Sequence, residues 1–121
     1  MGTQHLQRGR WGEDLAVRHL ERLGLKVIDR NWRCRDGEID IVAGDEPNDT
    51  IIICEVKTRS SEDYGSPLAA VTPRKLRRLR GLASEWMRTH DHRAREVRID
   101  VIGILLSRTG APSLEHLRGV A

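Results

Sequence analysis

The chain contains little cysteine: Cys34 and Cys54 are far apart, and neither belongs to a CxxC motif or to a paired cysteine and histidine spacing. The sequence therefore predicts neither a zinc site nor a disulfide framework, and we expect two reduced, partly buried thiols. Long apolar runs are also missing, since no stretch approaches the roughly 18 uninterrupted apolar residues of a membrane span. The N-terminus has no apolar signal-peptide core, and Leu6 stands where myristoylation requires serine or threonine. We expect a cytoplasmic protein without a membrane anchor.

Repeats and low-complexity tracts are absent too, and the proline and glycine clusters are typical of turns within one domain. The 121 residues are 38% hydrophobic and 32% charged, which is a globular composition, and their number suffices to bury a core. We expect one domain over residues 1–121.

Positive charge is concentrated in one segment. The net charge is only +3, whereas residues 74–80 contain five basic side chains and no acid. This density attracts phosphates, but a solvated helix face explains the same pattern, so the segment alone leaves both interpretations open. Helical spacing predicts that five basic residues of the helix containing this segment lie on its outer side: Arg74, Lys75, Arg77, Arg78 and Arg88.

Hydrophobic periodicity, the Asp36-Gly37 turn and the Thr72-Pro73 helix start predict an α/β domain of element order αβββαββ. Three successive strands without an intervening helix favour an antiparallel meander. Residues 60–66 are expected to form an exposed loop. The predicted elements are a helix over 11–23, strands over 25–34, 38–43 and 51–58, a helix over 73–89, and strands over 97–106 and 114–120.

The third strand, in the segment IIICEVKTRS, changes character along one face. Because side chains alternate between the faces of a strand, Glu55, Lys57 and Arg59 share a face with Ile51 and Ile53. A carboxylate and an ammonium group therefore continue a stripe that begins apolar. We expect a functional reason for this placement.

The second strand shows the same separation of polar and apolar residues. Glu38 and Asp40 share one face, and the opposite face is wholly apolar, formed by Ile39, Ile41 and Ala43. Since one apolar face is expected to be shared by both strands, this pattern also constrains how they pair.

A six-residue loop between these strands would place Ala43 opposite Thr50. In that register Asp40 and Glu55 are diagonal neighbours with Cα atoms about 7 to 8 Å apart, near enough to reach one cation. A slip of two residues would place the two acids directly opposite each other, and the same conclusion would hold. Glu13 joins them if the first helix covers this side of the sheet.

Clustered carboxylates need positive charge nearby, because removing even one ion from water costs several kcal/mol when nothing compensates. Oxygen ligands without histidine or cysteine favour Mg²⁺ or Mn²⁺ over zinc. A carboxylate-bound metal beside Lys57 suits phosphodiester hydrolysis, with the lysine orienting water or stabilising the developing charge. The simpler interpretation is a solvent-facing salt bridge between Glu55 and Lys57, worth little.

Two further polar candidates are weaker. Asp100 lies within an apolar strand, where a salt-bridged structural acid is favoured over a distant metal ligand. Trp32 lies beside three arginines and is either a core aromatic or a stacking platform for a base.

Four stretches carry a resemblance across nearly the whole chain: GRWGEDLAVRHLERLG, RNWRCRDGEIDIVA, CEVKTRSSEDYGSPLAAVTPRKLRRL and IDVIGI. In this order they resemble the YraN-like family of small bacterial proteins. That family is similar to archaeal Holliday junction resolvases, within the restriction endonuclease-like superfamily. Ile39 stands where the superfamily has a proline before its aspartate. The resemblance implies a restriction endonuclease-like fold, with a central mixed sheet flanked by helices.

The resemblance also implies roles for individual residues. The superfamily's metal-binding acids would be Asp40 and Glu55, its lysine Lys57, and the first-helix glutamate of resolvase-like members Glu13. The backbone carbonyl of Val56 would be a further metal ligand.

The function expected from residues and resemblance together is a Mg²⁺-dependent nuclease acting on branched or structured DNA. A homodimer is implied because junction resolvases need two sites. The alternatives are a non-catalytic nucleic-acid-binding or adaptor domain that keeps the fold, and a protein-interaction module. The expected phosphate contacts are Arg74, Lys75, Arg77 and Arg78, with Arg59 nearer the site.

Overall fold

The computed structural model describes residues 2–60, 69, 71–107 and 110–121, with side chains from Arg10 onward. The expected order αβββαββ is confirmed. The loop expected at 60–66 lies outside the described residues except for its first residue, which ends a strand. The elements are α1 Gly2–Arg22, β1 Lys26–Cys34, β2 Gly37–Asp45, β3 Thr50–Ser60, α2 Pro73–Thr89, β4 Glu96–Leu106 and β5 Ser113–Leu117.

The five strands form one mixed sheet in sequence order, β1-β2-β3-β4-β5. The predicted antiparallel meander of β1, β2 and β3 is confirmed. β3 and β4 are parallel, with α2 as their connection, and β5 returns antiparallel to β4. In the described part of the chain, no helix is both long enough and apolar enough to cross a membrane.

The helices cover opposite faces of the sheet, as the two buried clusters show. On one face Ala16 and Leu20 of α1 pack with residues such as Ile52 and Cys54. On the other face α2 contributes four buried side chains, Leu79, Leu82, Ala83 and Trp86. Full burial of one large apolar side chain contributes roughly 1.5–3 kcal/mol, so both faces contribute substantially to holding the fold.

The first helix is longer than predicted, since it begins at Gly2 and not at residue 11. The segment before Trp11 contains Leu6 as its one large apolar residue after the initiator methionine. A search for an apolar stripe therefore finds no signal there, although the segment contains no proline that would prevent a helix.

The predicted register of the β2–β3 hairpin is wrong by two residues. Ala43 lies opposite Ile52 instead of Thr50, because β2 continues to Asp45 and pairs there with Thr50. The connection is correspondingly shorter, and it is closed by Asp49 in a left-handed conformation with φ 48°. Aspartate tolerates this conformation, which permits the tight turn.

The apolar face expected on β2 is also wrong. Ile39 belongs to the cluster under α2, whereas Ile41 and Ala43 belong to the cluster under α1. The change occurs at Asp40, and at the same level of β1 Asn31 has a left-handed φ of 53°. Such a residue interrupts strand alternation, so both strands exchange faces at this level.

Asp100 is a structural acid, as favoured from the sequence. Its side chain is fully buried, and it accepts hydrogen bonds from Arg98 (2.9 and 3.0 Å), the Gly119 N–H (2.9 Å) and His116 (2.7 Å). Burial acts to raise the pKa of Asp100, but these bonds outweigh it and leave the pKa lowered. His116 also contacts His19 at 2.9 Å, which links α1 to β5.

We predict that Asp100→Asn lowers the free energy of unfolding by about 3 kcal/mol near neutral pH, because Arg98 loses its buried partner. Since the pKa of Asp100 is lowered in the folded state, its contribution is present above the ordinary aspartate pKa of about 3.9. The difference in the free energy of unfolding between the mutant and the wild type should therefore become smaller as the pH falls below about 4. Urea denaturation measures this, with exposed Glu115→Gln as the control.

A loss as small as that of the Glu115→Gln control would contradict the structural role of Asp100. A difference that does not change with pH would contradict the lowered pKa.

Candidate metal and phosphate site

The site lies where the sheet divides. β2 and β3 are paired as far as Ile41 and Cys54, and beyond this pair β2 follows β1 while β3 follows β4. The gap between the diverging strands, which we call the fork, begins at Asp40. Backbone groups that would have paired across the two strands are therefore open to other partners inside the fork.

Asp40 closes the inner end of the fork. Its Oδ2 accepts the backbone N–H of Val56 at 2.8 Å, which replaces a ladder bond that the diverging strands cannot make. In an antiparallel pair the N–H and C=O of one residue point to the same neighbour. The Val56 carbonyl is therefore directed to the same side as its N–H, as a metal ligand at this position requires.

The environment of Asp40 is unfavourable for negative charge. Burial and the adjacent charge of Glu55 raise the pKa of Asp40 to about 7, even though the Val56 N–H acts to lower it. A hydrogen bond with Glu55 and the more distant charge of Glu13 contribute to the same rise. A positive charge placed next to Asp40 would therefore favour its ionised form.

Two lysines face these acids. The ammonium group of Lys75 forms an ion pair with Glu55 Oε2. Burial lowers the pKa of Lys57, and the neighbouring Lys75 lowers it further against the opposing attraction of Glu55. For Lys75, burial also acts to lower the pKa, but the bond and charge of Glu55 outweigh it and leave the pKa raised.

The prediction that Lys75 points outward is therefore wrong. Lys75 lies four residues before Leu79 and seven before Leu82, both buried, so it belongs to the inward stripe of α2. This spacing could have predicted the inward position of Lys75. It was overlooked because the segment is rich in basic residues, which are typical of an exposed face.

Arg78 is exposed, in agreement with the prediction, and it also contacts the turn between β1 and β2. Its guanidinium group donates from Nε (3.2 Å) and Nη2 (3.1 Å) to the backbone carbonyl of Asp36, so it ties α2 to the β1–β2 turn. Gly37 has φ 150°, and a Cβ there would lie 3.1 Å from Arg78. Arg74 and Arg77 are exposed, in agreement with the prediction.

Glu13 is buried in the structure but lies outside the cavity that contains the other acids. Its Oε1 accepts from Arg30 Nε at 2.9 Å and from Asn31 Nδ2 at 2.8 Å. A Cβ on Gly12 would lie 2.1 Å from Thr58 Oγ1, so this glycine allows α1 to approach β3 closely. Glu13 thus acts on Asp40 through its charge and is held on the α1 side.

A cavity of about 660 Å³ opens from the fork on the α2 side. Acidic groups lie at its inner end and basic groups line its walls. Its lining residues are Arg33, Cys34, Arg35, Gly37, Glu38, Asp40, Glu55, Val56, Lys57, Lys75, Arg78, Leu79 and Leu82.

Trp32 is half-buried and packs against the core. Its ring contacts that of His90 edge to face, with the ring centroids 6.1 Å apart. These contacts favour the interpretation of Trp32 as a core aromatic residue.

Arg59 follows Lys57 on the same face of β3 and has an unusual environment. Its Nε is buried and has no hydrogen-bond partner among the residues that the structure describes. A buried donor without a partner is costly, and an oxygen-rich ligand such as a phosphate would satisfy it.

The donor set fits a hard divalent cation. The described residues contain no group of three or more histidine, cysteine, aspartate or glutamate side chains arranged to hold a metal. However, Mg²⁺ usually keeps several waters and binds through one or two carboxylates, a number that Asp40 and Glu55 supply.

The structure thus defines a small mixed α/β protein with two carboxylates and two lysines gathered at a fork in its sheet. The chain belongs to Uncharacterised protein family UPF0102, whose model matches residues 12–104. The match includes every charged residue of the fork.

Relatives in this family are similar over nearly their full length. A UPF0102 protein of Beutenbergia cavernae is 56% identical over 112 residues, covering 93% of each chain. One from Mycobacterium avium is 51% identical over 115 residues, covering 95% of this chain and 90% of the relative. A UPF0102 protein of Streptomyces coelicolor is 54% identical over 115 residues, covering 93% of this chain and 87% of the relative.

We predict that Asp40→Asn stabilises the metal-free protein at pH 8. The raised pKa of Asp40 means that the folded wild type loses stability as the pH rises from about 4 to about 7, because only the unfolded carboxyl ionises freely. The free energy of unfolding should increase by about 1–2 kcal/mol. This is less than the pKa shift alone would give, because the carboxyl group is partly solvated. Denaturation in EDTA at several pH values measures it.

In the control, exposed Glu38→Gln on the same strand should change the stability little at any pH. A destabilised Asp40→Asn protein at pH 8 would show that the lysines already compensate the pair.

Proposed function

We propose that this protein is a cytoplasmic, metal-dependent endonuclease that hydrolyses phosphodiester bonds in branched or structured DNA. The observation that carries the proposal is the meeting of Asp40 and Glu55 at the fork, with Lys57 beside them in an open cavity. The resemblance to the YraN-like family, and through it to restriction endonuclease-like nucleases, supports the same activity. The two unpaired cysteines fit a reducing compartment.

Asp40, Glu55 and the Val56 carbonyl would hold Mg²⁺, with Mn²⁺ as a substitute. When bound, the cation supplies positive charge that stabilises a phosphoryl oxygen and lowers the pKa of a nearby water. Both acids would hold the cation at the inner end of the fork.

Lys57 would orient the attacking water or stabilise the charge that develops on the phosphate. The proton of the attacking water passes to solvent. The water oxygen forms a bond to phosphorus, the bond from phosphorus to the leaving sugar oxygen breaks, and the leaving oxygen gains a proton from solvent.

The basic side chains around the cavity would hold the nucleic-acid backbone. Arg59 offers an Nε that has no hydrogen-bond partner among the described residues, and Arg74 and Arg77 present exposed charge from α2. The preference for branched DNA and a homodimeric assembly with two sites both rest on the resemblance to Holliday junction resolvases.

A second candidate is a non-catalytic nucleic-acid-binding or adaptor domain that keeps the nuclease fold. The internal pairing of the site favours it: Lys75 contacts Glu55, and Asp40 accepts the Val56 N–H. A charged group with internal partners can stabilise a fold without catalysing a reaction.

We predict cleavage of at least one substrate when purified protein is incubated with Mg²⁺ and linear, flapped and four-way DNA. Asp40→Asn should lower the rate at least about a hundredfold, because the substitution removes a metal-holding charge at the reacting centre. Lys57→Met should lower it similarly. Gel analysis of labelled strands measures cleavage, and surface Glu115→Gln is the control that should retain the wild-type rate.

Binding without cleavage, unchanged by Asp40→Asn, would contradict the endonuclease proposal and favour the adaptor. Absence of both metal binding and salt-dependent DNA binding would contradict both candidates and favour a protein-interaction module.

We also predict that DNA affinity falls steeply with salt and that Arg59→Met lowers the salt slope by about one, since one phosphate contact is lost. Fluorescence anisotropy over a range of salt concentrations measures the slope. Lys26→Met on β1 removes an equal charge away from the fork and is the matched control. An Arg59→Met slope equal to that of the control would contradict the proposed contact.

A further inference from the structure

Lys75 is the cation that the site already contains. Its side chain reaches from the first turn of α2 to Glu55, and 33% of its surface is exposed, compared with 11% for Glu55. The ion pair therefore uses a carboxylate that a metal in the fork would also need. A divalent cation held by Glu55 would compete with Lys75 for this carboxylate.

The backbone of Lys75 is held by contacts that do not involve its ammonium group. Its N–H donates to the capping Thr72 Oγ1 at 3.1 Å, and Leu79, one turn further on, is buried in the core. The ammonium group lies on a four-carbon stem with several rotatable bonds. Release from Glu55 would thus move the charge without moving the helix.

The cavity shows where the released charge would lie. Lys75 is on the cavity wall contributed by α2, and Arg78 is one turn further along the same wall. Lys57 lies close enough to Lys75 that the two ammonium groups influence each other. Once Glu55 no longer attracts it, Lys75 could move into the cavity that it already lines.

We propose that Lys75 is the resident counter-ion of Glu55, that a divalent cation displaces it, and that the displaced ammonium then contacts a phosphate of the bound nucleic acid. This inference rests on the proposed function. Metal binding and nucleic-acid binding are then coupled, because each favours the state in which Lys75 has left Glu55.

The first test measures Mn²⁺ binding to metal-free protein by titration calorimetry. Lys75→Met should bind Mn²⁺ about fivefold tighter than wild type, because no resident charge must be displaced from a partly exposed pair. Lys75→Gln repeats the comparison in a variant that keeps a hydrogen-bond donor for Glu55. Lys75→Arg keeps the competing charge and should bind like wild type. The control is Arg80→Met, an equal loss of charge at an exposed position on α2.

The second test measures the affinity for non-hydrolysable DNA with and without Mn²⁺. Adding the metal should increase the DNA affinity of the wild type. The factor of increase should be at least threefold smaller for Lys75→Met, because this variant lacks the displaced ammonium group. Arg80→Met should show the wild-type gain.

The outcomes separate this inference from the function on which it rests. If wild type binds Mn²⁺ but Lys75→Met and Lys75→Gln bind it equally or more weakly, Lys75 is a structural partner of Glu55 and the inference is overturned, while the nuclease proposal stands. If neither wild type nor these variants bind Mn²⁺, both are overturned.

Discussion

The site depends on one electrostatic constraint: two carboxylates lie close together where the sheet divides, and they need nearby positive charge to be stable there. Asp40 and Glu55 face each other on strands that have just separated, and burial makes their mutual repulsion costly. The protein responds with a backbone N–H from Val56 and an ammonium group from Lys75. The proposed roles of the fork residues depend on this excess of negative over positive charge.

The two faces of the sheet contribute differently to the charge at the fork. On the α1 side, Gly12 allows close contact between the helix and β3, and Glu13 is tied to Arg30 and Asn31. The α2 side is open, and its helix brings a lysine to the fork. The first-helix glutamate and the second-helix lysine thus act differently on the same acids: Glu13 adds negative charge from behind, whereas Lys75 neutralises it from the cavity.

Much of this could be predicted from local patterns. The order of the elements, the start of α2 at Thr72-Pro73, and the meander of three strands all depend on neighbours within a few residues. The proximity of Asp40 and Glu55 was also predicted, although the predicted register differs by two residues, because both registers bring the two acids close together. The length of α1 was not predictable, since its first turns contain almost no apolar residues to mark them.

The sequence by itself determined that Glu55, Lys57 and Arg59 share one face of β3, because side chains alternate along a strand whatever the strand pairs with. Only the tertiary structure decided which partners they meet. The face exchange at Asn31 and Asp40, the separation of Glu13 from the cavity and the inward turn of Lys75 all arise from contacts between distant segments. Such contacts depend on backbone distortion and on how a helix is rotated against a sheet, and neither leaves a periodic signal in the chain.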